Sequence, residues 1–134
     1  DESLVPLAID EFPVLFVAAA CAEGTTVVTG AEELRVKESD RIQVMADGLK
    51  AIGADVRATD DGMIINGGGV SSTVFEGGTV HSHDDHRIAM AFAMASLRSE
   101  GEIHIEECDN VNTSFPGFAD LAVSCGLSIQ VIDE

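Results

Sequence analysis

Basic side chains are scarce in this chain of 134 residues: 7 Lys and Arg stand against 24 Asp and Glu, a formal net charge of -17. Binding to a nucleic-acid backbone or an anionic membrane surface needs a basic footprint, so neither is expected as a partner. Long hydrophobic runs are missing as well. Nothing approaches the roughly 18 apolar residues of a membrane span, and no basic segment precedes an apolar one as in a secretory signal. A soluble, cytoplasmic protein is the expectation. Trp and Tyr are absent, and the three cysteines, Cys21, Cys108 and Cys125, are too widely spaced for a disulfide framework or a structural zinc site. Cys21 and Cys125 sit in apolar helical patterns and read as small buried hydrophobes. Cys108 lies among acidic residues, which would raise its thiol pKa. What is present is enough apolar sequence for one domain with a real core. The first residue is Asp1, and the opening reads as a strand or connection already in progress, as in a processed chain or a fragment.

The pattern is α/β. Asp10 to Ala22 is alanine-rich, holds its proline in the first turn, and is apolar on every side, which predicts a fully buried helix ended by Gly24. Thr25 to Thr29 is β-branched and reads as a strand. After a polar connection, Asp40 and Gln43 form a capping box for an amphipathic helix carrying Ile42, Met45, Ala46, Leu49 and Ile52, stopped by Gly53. Ala54 to Ala58 and Gly62 to Asn66 predict a hairpin, and Gly67 to Gly69 and Gly77-Gly78 predict further hairpin loops. A second apolar helix spans Asp85 to Ser99, followed by a strand from Glu102 to Glu106, a helix from Phe115 to Ser124 and a strand from Ser128 to Ile132. Superposing Ala22-Glu-Gly24 on Ser99-Glu-Gly101 brings the two halves into register. The chain therefore reads as two copies of one βαβ-containing unit, about 1–66 and about 67–134, with parallel helices enclosed by outer sheets.

Polar residues gather where helices begin: Asp10; Lys37, Glu38, Asp40 and Arg41; Asp84, Asp85, His86 and Arg87; Thr113 and Ser114. If the helices are parallel, their N-termini converge and form an anion-binding end. Simple N-capping accounts for the aspartates and Ser114. It does not account for Lys37, Arg41 and Arg87, since a cation in a first turn opposes the helix dipole; either an anionic ligand or a network with Glu38, Asp40 and Asp85 would balance them. A different chemistry is suggested by His81-Ser-His83-Asp-Asp85-His86, the H-x-H-x-D-H string of zinc hydrolases. That chemistry needs further ligands from later loops, and only His104 remains, so a helix-start site at His86-Arg87 is the better reading.

Three strings together carry a family resemblance. Leu34-Arg-Val-Lys-Glu-Ser-Asp-Arg-Ile42, His83-Asp-Asp-His-Arg-Ile-Ala-Met90 and Thr113-Ser-Phe-Pro116 resemble the C-terminal part of the EPSP synthase (3-phosphoshikimate 1-carboxyvinyltransferase) family, from about Ile9 to the chain end. The Asp10-Glu-Phe-Pro13 and Thr113-Ser-Phe-Pro116 strings are closer to its glyphosate-tolerant bacterial class than to the enteric one. The resemblance implies repeated βαβαββ units with buried parallel helices and sheets outside, an inside-out, barrel-like α/β domain present here in part, with the N-terminal domain absent. It implies transfer of the enolpyruvyl group of phosphoenolpyruvate to the 5-hydroxyl of shikimate 3-phosphate, with no cofactor and no metal. By the same resemblance Asp10 is the hydroxyl's proton acceptor and Glu38 handles the proton at the methylene carbon. Lys37 and Asp10 bind shikimate 3-phosphate, Arg41 and Arg87 clamp phosphoenolpyruvate, and His86 supports them. The family's enteric members carry a lysine where Thr113 stands and an asparagine where Glu33 stands, so those contacts are not expected here. The opposite domain supplies most of the shikimate 3-phosphate site, and the isolated chain is therefore expected to be inactive. A zinc hydrolase, a non-catalytic binding or assembly module, and the related UDP-N-acetylglucosamine enolpyruvyl transferases are the alternatives; the Arg35-to-Arg41 string speaks against the last.

Overall fold

A computed structural model describes residues 11–37, 39–68 and 75–107. The expected helix at Phe115 to Ser124, the closing strand, Cys108, Cys125, Asp10, Glu38 and Thr113 lie outside the described residues. The elements run in the order α1 (Phe12–Cys21), β1 (Thr25–Val28), a 3-10 helix (Glu32–Val36), α2 (Arg41–Ala51), β2 (Asp55–Thr59), β3 (Gly62–Asn66), β4 (Gly78–His81), α3 (His86–Ala95), a 3-10 turn (Ser96–Arg98) and β5 (Ile103–Glu106).

Strand β3 is central in a three-stranded sheet of order β1-β3-β2 and is antiparallel to both neighbours. Strands β1 and β2 are therefore parallel to each other, with α2 as their crossover and β3 inserted between them. Central placement suits the sequence Gly-Met-Ile-Ile-Asn, whose Met63 and Ile65 are fully buried and whose Ile64 is half-buried. The β2–β3 hairpin closes at Thr59 and Gly62 across Asp60-Asp61, as the sequence predicts. A second sheet pairs β4 with β5 in parallel, joined by α3. Helix α2 packs on β2 of one sheet and β4 of the other, and its buried stripe of Ile42, Met45, Ala46 and Leu49 forms the centre of the core.

Local signals set the limits of α2. Asp40 accepts from the Gln43 amide at 3.1 Å, the first half of the expected capping box. The second half does not form, because the Gln43 amide side chain bonds Asp47 instead. At the other end the Gly53 amide donates to Lys50 and the Ala54 amide to Leu49, a Schellman closure that needs the left-handed backbone of Gly53 at φ 99°.

Three expectations are corrected. Helix α1 buries Phe12, Pro13, Phe16, Val17 and Ala20, but Val14 and Leu15 are 38% and 46% exposed, so the helix is covered on one side only among the described residues. The second apolar helix stops at Ala95 and leaves Met94 and Leu97 exposed. Gly77-Gly78 is not a hairpin loop. Gly78 opens the parallel strand β4, with φ 149° and so close to the Ala51 carbonyl that an added Cβ would lie 2.8 Å from it. No helix among the described residues is long and apolar enough to cross a membrane.

Candidate active site

Helices α1, α2 and α3 begin at the same end of the structure. Two contacts define this. Arg41, the first residue of α2, reaches Asp85, the N-cap of α3, and Glu11, the N-cap of α1, meets Arg87 in the first turn of α3. The convergence expected from the repeat is thus present for three helix starts.

Asp85 is the hub, with 0% exposure. Arg41 donates to it from Nε (2.8 Å to Oδ2) and from Nη2 (3.2 Å to Oδ1). The Ser39 hydroxyl donates to Oδ2 at 2.7 Å, and the Arg87 amide donates to Oδ1 at 3.1 Å. Each carboxylate oxygen therefore has two donors. Burial pushes the Asp85 carboxyl up, but the hydrogen bonds from Arg41 and Ser39, the Arg41 charge and the Arg87 amide outweigh it and hold the carboxyl below its usual range.

That shift has a defined pH signature. A carboxyl with a lowered folded-state pKa contributes its full stabilisation above its unfolded value, about 4, and loses it as pH falls through the folded value. The stability difference between the parent and Asp85→Asn should be constant above about pH 5 and shrink as the solution is acidified below about pH 4. Urea midpoints of the two proteins across that range check it. A difference that instead grew on acidification would contradict the stabilised carboxylate.

The turn that delivers Asp85 is unusual. His83 and Asp84 both have positive φ, 52° and 60°, and the Asp85 amide closes the turn on the Ser82 carbonyl. His and Asp tolerate the left-handed region better than most side chains. Ser82, also fully buried, shares its single hydroxyl proton between the Glu106 and Glu107 carbonyls and so fastens the turn to the end of β5.

The four other site residues within reach are placed as follows. Arg41 is 1% exposed, and its pairing with Asp85 is the network alternative weighed from the sequence. The Arg87 side chain is 35% exposed and stands 3.5 Å from Glu11. Lys37 ends the 3-10 helix, half-buried, with no side-chain hydrogen bond or ion pair among the described residues. His86 is the half-buried first residue of α3. A shallow groove of about 130 Å³ leads away from this end between α1 and α3, lined by Glu11, Pro13, Val14, Arg87, Met90 and Met94 among others. Arg35, although inside the same motif, serves the fold: it donates to the Asp60 and Thr59 carbonyls of the hairpin turn and pairs with Asp40 at 2.8 Å.

The histidine string does not assemble a metal centre. His81 and His83 have ring centroids 6.2 Å apart, His81 pairs with Glu107, His104 pairs with Glu106, and Asp85 is committed to Arg41. Among the described residues no three His, Cys, Asp or Glu side chains are placed to share an ion. Cys21 is half-buried, and its burial raises the thiol pKa.

Sequence reasoning missed Ser39 and Ser82 and gave Asp85 only a capping or network role. The available signal was a small hydroxyl residue inside each charged string, which nothing in the local pattern linked to a partner 46 or 24 positions away.

Residues 2–121 match the family described as EPSP synthase (3-phosphoshikimate 1-carboxyvinyltransferase). The chain is 66% identical over 129 residues to the 3-phosphoshikimate 1-carboxyvinyltransferase of Nitrosococcus oceani, covering 96% of this chain and 28% of that protein. It is 61% identical over 130 residues to the Halorhodospira halophila protein of the same name, covering 97% and 28%. The solved EPSP synthase from Acinetobacter baumannii superposes with a TM-score of 0.96 at 62% identity, covering 99% of this chain and 31% of that one. The chain thus spans less than a third of the length of the relatives it matches. Over that span the family match covers most of the chain and the fold superposes, and the chain belongs to the EPSP synthase family.

Proposed function

We propose that this chain supplies the C-terminal side of an active site that transfers the enolpyruvyl group of phosphoenolpyruvate to the 5-hydroxyl of shikimate 3-phosphate, in the cytoplasm. The observation that carries the reading is the placement of Arg41 and Arg87 at convergent helix starts, with Lys37 four positions before Arg41, in a chain of the EPSP synthase family. Both substrates are anions, and helix N-termini flanked by cations suit them.

In the reaction the 5-hydroxyl oxygen bonds to C2 of phosphoenolpyruvate, the hydroxyl proton leaves, and the methylene carbon takes up a proton. The tetrahedral adduct then loses inorganic phosphate while the new methyl group gives a proton back, which restores the vinyl group. We assign Asp10 to accept the hydroxyl proton and Glu38 to move the proton at the methylene carbon. Arg41 and Arg87 hold the carboxylate and phosphate of phosphoenolpyruvate, Lys37 holds the sugar phosphate, and His86 supports by hydrogen bonding. Asp85 engages two N–H groups of Arg41, fixing that guanidinium in a dry setting where its charge acts over a short range with little screening. The remaining wall of the cleft belongs to the part of the relatives that this chain does not span.

The test is a full-length chimera in which this chain replaces the matching segment of the Nitrosococcus oceani relative. Phosphate release that depends on both substrates is the expected result, whereas the 134 residues alone are expected to release none. A folded chimera without turnover would reject the reading in favour of a binding or assembly module.

A further inference from the structure

Ser39 has no role in the chemistry above, yet it occupies a decisive place. It sits between the Lys37–Glu38 pair and the start of α2, and its hydroxyl donates to Asp85 Oδ2 on a different helix, 46 positions away, at 2.7 Å. The same oxygen receives Arg41 Nε at 2.8 Å. Arg41 is secured independently by a second bond to Asp85 Oδ1 and by belonging to α2, whose N-cap Asp40 is fixed by both Gln43 and Arg35. Among the described residues just before α2, Lys37 has no such anchoring. Lys37 has left the 3-10 helix in extended backbone (ψ -155°), and its ammonium makes no bond among the described residues. Within this stretch, Ser39 carries the side-chain tie to α3.

The geometry points to Ser39 as a positioning residue, whose hydroxyl on Asp85 sets where Lys37, two positions before it, is held relative to Arg41 and Arg87. This rests on the transferase reading proposed above. Its consequence is a division of labour between the two sides of one carboxylate. The Arg41 bonds fix the phosphoenolpyruvate clamp, and the Ser39 bond fixes the stretch that carries Lys37, the residue assigned to the other substrate. Loss of the hydroxyl therefore falls on turnover more than on phosphoenolpyruvate binding, since a small displacement of the residue that orients the other substrate costs rate steeply.

The test compares Ser39→Ala and Ser39→Thr in the full-length chimera. Ser39→Ala should lower kcat about tenfold while the KM for phosphoenolpyruvate moves by less than about threefold, and Ser39→Thr, which keeps the hydroxyl, should restore most of the rate. Hydrogen exchange of the amides of residues 37–40, read by mass spectrometry, should speed up in Ser39→Ala and return toward the parent in Ser39→Thr. This second readout stands even if the chimera shows no turnover, so failure of the transferase reading and failure of the Ser39 assignment are distinguishable. Unchanged exchange and unchanged kcat in Ser39→Ala would overturn the assignment. So would a loss confined to thermal stability, or a rise in the phosphoenolpyruvate KM that matches the fall in kcat.

Discussion

Asp85→Ala should destabilise the fold by about 3–5 kcal/mol, because it strands the Arg41 guanidinium in a site where that side chain is 1% exposed. The penalty arises less from the lost attraction than from a buried charge left without its counterion. For that reason the double replacement Arg41→Met with Asp85→Leu should recover most of the loss, since apolar side chains of similar volume need no hydration to be given up. The recovered protein should nevertheless be a poor enzyme, with kcat/KM for phosphoenolpyruvate at least about 100-fold below the parent chimera. Chemical denaturation of the single and double variants in the chimera, followed by kinetics on the double, separates the two effects. A single variant that lost less than about 1 kcal/mol would mean that the pair is hydrated, contrary to its geometry.

The next largest effect is expected where α2 crosses α3. Phe92 is fully buried, and Gly48 in the middle of α2 leaves room for its ring: a Cβ at Gly48 would lie 2.4 Å from Phe92 Cζ. Phe92→Ala should cost about 3–5 kcal/mol through the cavity it opens. Gly48→Ala should also be destabilising, by about 1–3 kcal/mol, even though alanine is the better helix former by about 1 kcal/mol. The two changes are coupled. In the Phe92→Ala background Gly48→Ala should become neutral or stabilising, because the clash is gone and the propensity gain remains. Unfolding of the four proteins of this cycle gives the coupling directly, and additive effects would show that the ring moves aside freely.

Features governed by near neighbours were legible in the sequence. Asp40 caps α2, Gly53 ends it, and Asp60-Asp61 turns the hairpin, all within a few residues of the signal that announces them. The cluster of helix starts was legible because the repeat and the placement of cations both pointed to it. Partner choice was not. Arg41 in a first turn demands a negative charge, and the sequence offered a ligand or three acidic neighbours; only tertiary structure brings Asp85 to it across 44 positions. The apolar girth of α1 shows that its sides avoid water but not which of them the described residues cover, hence the exposed Val14 and Leu15. Gly78 illustrates a third limit. A glycine signals an unusual φ or a tight approach, and the same signal serves a hairpin loop and the first residue of a strand pressed against α2.

The three helix starts are joined by long detours of chain: 44 positions separate Arg41 from Asp85, and 76 separate Glu11 from Arg87. The entropy of closing such loops grows only logarithmically, so lengthening the shorter one by about ten residues costs about 0.2 kcal/mol, well below one hydrogen bond to a charged group. Insertions in the turns of those connections are therefore expected to leave the charged end as it is. In this architecture the length of a connection is thermodynamically cheap to change, and the buried Arg41–Asp85 pair is costly to break.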